Sequence, residues 1–150
     1  MLRILRTIFA AMLVCLAFSA HADEAFDVRL APAARDALIK DKIGGRGTAR
    51  VQLHGNRLTI AGNFEGMPSA ATRADLRSGA AVGVRGPAIR EIAVTHATSG
   101  TLEAELTLDA AELRALNAGR LYIEIASELA PDGSVWGWLL PAAAPVIRDR

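Results

Sequence analysis

Few side chains in this sequence combine the type and spacing that chemistry requires. His54 flanks the turn of a hairpin, on the face that carries Arg50 and Gln52, and His96 stands in the loop Thr95-His96-Ala97-Thr98. Neither histidine has the neighbours of a metal or catalytic set. Glu103 and Glu105 lie two apart in an alternating run, which places both on a solvated strand face with Thr107 rather than across a cleft as an acid/base pair. Gly44-Gly45-Arg46-Gly47 lacks the strand-to-helix setting and the lysine of a phosphate loop, and reads as a flexible entry into a hairpin. No Cys-x-x-Cys, His-Glu-x-x-His or Gly-x-Ser-x-Gly occurs. No catalytic residue, metal ligand or cofactor is expected from these motifs.

Two other features point to contact rather than catalysis. Trp136 and Trp138 have period two, so both indoles share one strand face, with Val135 and Leu139 on the other. If Val135 and Leu139 face a core, the indoles form an exposed or partly covered aromatic strip suited to a ligand or partner. Packing of both indoles under the 31–45 connection or the C-terminal tail is the plainer expectation. Charge is also segregated. Arg73, Arg77, Arg85 and Arg90 stand against Asp75 alone between Gly66 and Arg90, for +3. Seven acids stand against Arg114 and Arg120 between Gly100 and Val135, for −5. Such blocks can steer an association, but within one domain they are expected to meet each other.

The elements that must position these residues are strands. Ala49, Val51 and Leu53 alternate with Arg50, Gln52 and His54; after Gly55-Asn56, Leu58, Ile60, Gly62 and Phe64 alternate with Arg57, Thr59, Ala61 and Asn63. Glycine at the first of two turn positions suits a type II′ turn, so 48–54 and 57–65 form a hairpin. Further strands are expected at Phe26–Leu30, Ala70–Arg77, Ile89–Thr95, Thr101–Leu108, Leu121–Ala126 and Ser134–Leu140. One segment breaks the β pattern. Asp109 can cap a helix with Glu112 three residues on, and Gly119 sits where that helix would stop.

The amino terminus reads as an export signal. Arg3 and Arg6 precede the apolar run Ile8–Phe18, and Ala20-His21-Ala22 supplies small residues at −3 and −1, so cleavage is expected after Ala22. The run is about half of the roughly 20 residues that a membrane span needs. Cys15, the sole cysteine, does not read as a lipidation site, because Val14 stands where a small residue is wanted. Cleavage leaves 128 of the 150 residues, with 15 basic residues (17 less Arg3 and Arg6) against 16 acidic ones. That near-neutral chain carries no thiol and suggests no nucleic acid or anionic membrane as partner. Its length suits one domain over 23–150, with a modest core over about 26–140 and a loosely held tail over 141–150.

In order, GTARVQLHGNRLTIAGNFEGM, SGTLEAELTLDAAELRALNAGRLYIEIAS and PDGSVWGWL resemble the chordin-type (CHRD) domain. That family has a G-T-A hairpin, an S-G-T strand, a T-x-x-x-x-x-L-x-A-G-x-x-Y segment and a closing P-x-G-x-x-x-G strand. The resemblance implies an antiparallel Greek-key β-sandwich or barrel of about 7–8 strands, with one short helix near 110–117, and an extracytoplasmic location. The departures are informative. Ala74-Asp75-Leu76-Arg77-Ser78-Gly79 stands where the family has A-H-I-H-G. Ile125-Ala126-Ser127 stands for V-H-T, and Trp136 and Trp138 replace arginine and glutamine. Any metal role of those histidines is therefore not carried over.

The resemblance also implies that the strand of Asp75 and Arg77 lies near that of Glu124. Arg77 is then the expected counter-ion of Glu124 or Glu128, and Arg73 of whichever remains. The expected function is that of a non-enzymatic, periplasmic or secreted binding or structural module. Its partner would be a protein or small ligand, met through Trp136, Trp138, Arg73 and Arg77. The alternative is an extracytoplasmic metal-binding or enzymatic protein with an altered site. Intact-mass measurement of the protein exported by its native host is expected to give a chain beginning at Asp23. Retention of Met1, or a lipid on Cys15, would refute the signal.

Overall fold

The computed structural model describes residues 23–33 and 40–141. The signal segment, its cleavage point after Ala22 and the tail over 142–150 lie outside the described residues. Eight strands and one helix follow in the order β1 (Glu24–Pro32), β2 (Arg46–His54), β3 (Arg57–Glu65), β4 (Ala71–Ser78), β5 (Ala88–Val94), β6 (Gly100–Thr107), α1 (Ala110–Asn117), β7 (Leu121–Ser127) and β8 (Val135–Trp138). All pair antiparallel, closing a barrel in the spatial order β1-β2-β3-β6-β5-β4-β7-β8. β4, β5 and β6 are consecutive neighbours, and β3 returns to lie beside β6. That is the Greek-key arrangement the resemblance implies.

Closure is made at two narrow seams. β1 pairs with β2 from Glu24 to Leu30, then with β8 through Ala31 and Pro32 alone. β5 pairs with β4 up to Ile92, then with β6 through Ala93 and Val94 alone. Each of these strands changes sheet along its length, so the barrel is a sandwich joined at both edges, without a long open edge strand.

The alternation read from the sequence fills the interior. Phe26, Val28 and Leu30 of β1 share the core with Val51, Leu58, Ile60 and Leu102, and with Leu76, Ile92, Leu121, Ile123, Ile125, Val135 and Leu139 from the other side of the barrel. The hairpin turn has Gly55 at φ 65° and no positive φ at Asn56, as a type II′ turn requires. α1 begins as expected. The Asp109 carboxylate accepts from the Glu112 N–H at 2.8 Å, and the Glu112 carboxylate accepts from the Asp109 N–H at 2.8 Å. Glu112 also accepts from Arg90 Nη2 at 3.0 Å, tying the helix to β5.

β1 is longer at both ends than the expected Phe26–Leu30. β8 is shorter at both ends than Ser134–Leu140; Ser134 turns its hydroxyl to Gly44, donating to O at 3.1 Å and accepting from N at 3.3 Å. Gly137 lies between the two tryptophans and points inward. A Cβ there would fall 2.6 Å from both Arg29 O and Val28 Cγ1, so β8 can approach β1 only with glycine at this position. Gly137→Ala is expected to cost about 1–3 kcal/mol through overpacking, read as a lower urea midpoint at unchanged slope.

Candidate functional site

β7 is where sequence and structure part most usefully. Strict alternation gives it one core face, Leu121, Ile123 and Ile125, and one outward face, Tyr122, Glu124 and Ala126. Yet all seven residues of the strand are buried. The outward face is covered from outside the barrel by the glycine-rich loop over 79–87 and by the turn Pro131-Asp132-Gly133. Tyr122 anchors the loop. Its hydroxyl accepts from Gly86 N at 3.0 Å and donates to Gly86 O at 3.3 Å. Arg77 Nε donates to the same carbonyl at 3.0 Å.

Under this cover sits a carboxylate that is 2% exposed, Glu124. Ladder register puts it directly opposite Asp75 on β4 and Trp136 on β8. Two guanidinium groups divide its oxygens. Arg85 Nη1 reaches Oε2 at 2.5 Å and Arg77 Nη1 reaches Oε1 at 3.5 Å. Arg85 Nη1 also donates to the Asp132 carbonyl at 2.8 Å. Gly133, at φ 117°, holds the turn against the carboxyl group; a Cβ there would lie 2.5 Å from Glu124 Cδ. Asp75, also buried, is bonded by Arg73 Nε at 2.6 Å and faced by Arg77 Nη1 at 3.5 Å.

Aromatic rings line the same face. Tyr122 is opposite Trp138 in the ladder, with ring centroids 4.4 Å apart and planes 31° apart. Trp136 stands edge-on to both, at 5.8 Å from each, and the Arg85 guanidinium lies 5.1 Å from its centroid. Such a pairing joins cation–π attraction to the ion pair. Both tryptophans are half-buried, while Val135 and Leu139 are fully in the core. The indoles therefore form a partly covered outer strip. Among the described residues, the loop over 79–87 and Tyr122 pack against them; the middle of the 31–45 connection, 34–39, and the tail over 142–150 lie outside the described residues.

The expected pair Arg77–Glu124 is present, but Arg85 is the closer partner. Arg73 turns to Asp75, two residues along its own strand, rather than to Glu124 or Glu128. The oppositely charged blocks do meet, through Arg77 and Arg85 to Glu124 and through Arg90 to Glu112. His54 joins Asp23 at 2.7 Å on the surface, His96 is exposed, and Glu103 and Glu105 face solvent, the latter paired with Arg57. Among the described residues no group of three or more His, Cys, Asp and Glu could hold a metal ion. Sequence reasoning missed Arg85 and Tyr122. The available signals were that Arg85 belongs to the basic block and that Tyr122 shares a strand face with Glu124.

A family model described as the CHRD domain matches residues 18–139. No curated protein and no solved structure matches the chain. A double-mutant cycle on Arg85→Ala and Glu124→Ala is expected to show coupling of about 1–3 kcal/mol, since loss of either partner strands a buried charge. The longer Arg77–Glu124 contact is expected to couple by less than about 1 kcal/mol. Coupling of Arg85 with Glu124 within error of zero would remove the ion pair as an organising contact.

Proposed function

The chain belongs to the CHRD-domain family, and from that premise we propose that it is an exported, non-enzymatic binding module, periplasmic or secreted, whose contact surface is the outer face of β7 and β8. CHRD domains occur generally in extracellular or secreted proteins, which supports the signal-peptide reading of residues 1–22, and the domain is not a known enzyme family. No helix among the described residues is long and apolar enough to cross a membrane. The observation that carries the binding reading is the half-buried pair Trp136 and Trp138 on the outside of the barrel, set beside guanidinium groups held in fixed positions by buried carboxylates. Aromatic and arginine side chains that are already ordered lose little freedom on contact, and this composition is typical of the energetic centre of an interface. Arg73 is half-exposed at the rim of this face, and Arg77 lies deeper, beneath Gly86.

The chain has two tryptophans, Trp136 and Trp138, so labelling with 5-fluorotryptophan gives one fluorine resonance for each. Addition of the extracytoplasmic extract of the native host is expected to shift or broaden both resonances saturably. Trp136→Ala and Trp138→Ala, each removing one resonance, are expected to weaken the response of the other by about tenfold or more, as hot-spot truncation does. Resonances indifferent to extract at every concentration would refute the surface.

A further inference from the structure

We propose that Glu124, the Asp132 carbonyl and the face of Trp136 form a receptor for a guanidinium group, which Arg85 occupies from within the chain and which an arginine of a partner polypeptide occupies in the complex. The inference rests on the binding reading above and names the chemistry that the surface recognises.

Three elements converge on the Arg85 head group: a carboxylate oxygen at 2.5 Å, a backbone carbonyl oxygen at 2.8 Å and an indole face at 5.1 Å. Both oxygens accept from the one nitrogen Nη1, so charge and hydrogen-bonding suit any cationic head group, and it is the indole face that favours a planar guanidinium over an ammonium. Arg85 supplies charge that the buried Glu124 needs, but the backbone carrying all three groups is also held by bonds that do not involve the arginine, Gly133 N to Ala130 O at 3.0 Å and Ser134 N to Ile125 O at 2.8 Å among them. Glu124 and Trp136 are ladder partners on adjacent strands, and the Asp132 turn is packed on the carboxyl group through Gly133. The receptor is preorganised by the barrel.

The resident arginine fits incompletely. Arg85 Nη2 is buried and has no hydrogen-bond partner among the described residues, a cost that a differently angled guanidinium can avoid. Arg85 is carried by a loop whose tip adds nothing to the core: Val82 and Val84 are 53% and 48% exposed, around Gly83 at φ 82°. Withdrawal of the Arg85 side chain need not release the loop, because Gly86 is held separately by Tyr122 and Arg77. Tethering gives Arg85 an effective concentration in the millimolar range. A competing arginine must therefore arrive on a polypeptide that gains further contacts, and the exposed valines and Trp138 lie beside the site to provide them.

The test uses the full chain labelled with 5-fluorotryptophan, with Trp136→Phe to assign the resonances. In Arg85→Ala, Nα-acetyl-L-arginine amide is expected to shift the Trp136 resonance saturably, with Nα-acetyl-L-lysine amide at least about tenfold weaker. The unsubstituted chain is expected to need about tenfold more of the arginine compound, or more, for the same shift. A folded Arg85→Ala chain that shows no saturable shift, or responds equally to the two compounds, overturns the receptor. Should Arg85→Ala fail to fold, Arg85→Gln is titrated in its place and judged by the same two outcomes. The two readings fail separately. Arginine recognition in the variant, with no response of the unsubstituted chain to host extract, upholds the receptor and removes the proposed partner surface. A response to extract without arginine recognition does the reverse.

Discussion

The buried carboxylate of Glu124 is the constraint around which the outer layer of this protein is arranged. A charged group taken out of water is tolerated only where opposite charge and hydrogen-bond donors replace the lost solvent. On the outside of a barrel, that compensation cannot come from the core. It comes from two arginines distant from it in sequence, one on the loop over 79–87 that hydrogen-bonds one carboxylate oxygen and one on the paired strand β4 that faces the other at 3.5 Å. The turn that follows β7 must then pass close over the carboxyl group, and glycine at position 133 meets that demand through both its missing side chain and its positive φ.

The loop over 79–87 is consequently more than a connection between β4 and β5. Tyr122 bonds both polar groups of Gly86, and Arg77 bonds the same carbonyl, so the loop is pinned to the barrel at one residue while Arg85 reaches down beside it. The aromatic rings beneath complete a second, smaller packed layer. Tyr122 is fully buried without belonging to the interior cluster, and Trp136 and Trp138 form the open border of that layer.

The two outer faces of the sandwich differ for physical reasons. On the β1-β2-β3-β6 side, Arg46 with Glu65, Arg50 with Asp27 and Arg57 with Glu105 are ion pairs in open water. Such pairs contribute roughly 0–1 kcal/mol and fix little. On the β4-β7-β8 side, Glu124, Asp75, Arg77 and Arg85 are packed beneath a loop and beside three aromatic rings, where their contacts are screened less. The proposed binding surface is assigned to the second face on the strength of that difference in order, since only fixed groups can discriminate among ligands.

Strand alternation, the Gly55-Asn56 turn and the Asp109–Glu112 capping box are local signals, and each was legible because its physics is local. Side-chain period decides which residues enter the core, glycine supplies the positive φ, and a cap needs only neighbours in sequence. The likeness in motif order carried the Greek-key topology, and the proximity of Arg77 to Glu124 followed from it. Period two also placed Trp136 and Trp138 together, opposite Val135 and Leu139. What could not be read was the second layer. Alternation leaves Tyr122 and Glu124 facing outward, and nothing in their neighbourhood says that a loop some 39 positions away will bury them. Arg85 has no periodic context in its glycine-rich segment, and its role exists only once β4 and β7 are paired and the loop is folded over them. Local chemistry determined the barrel; the contact between segments distant in sequence, decided by how the closed sheet brings loops over its outer face, determined the site.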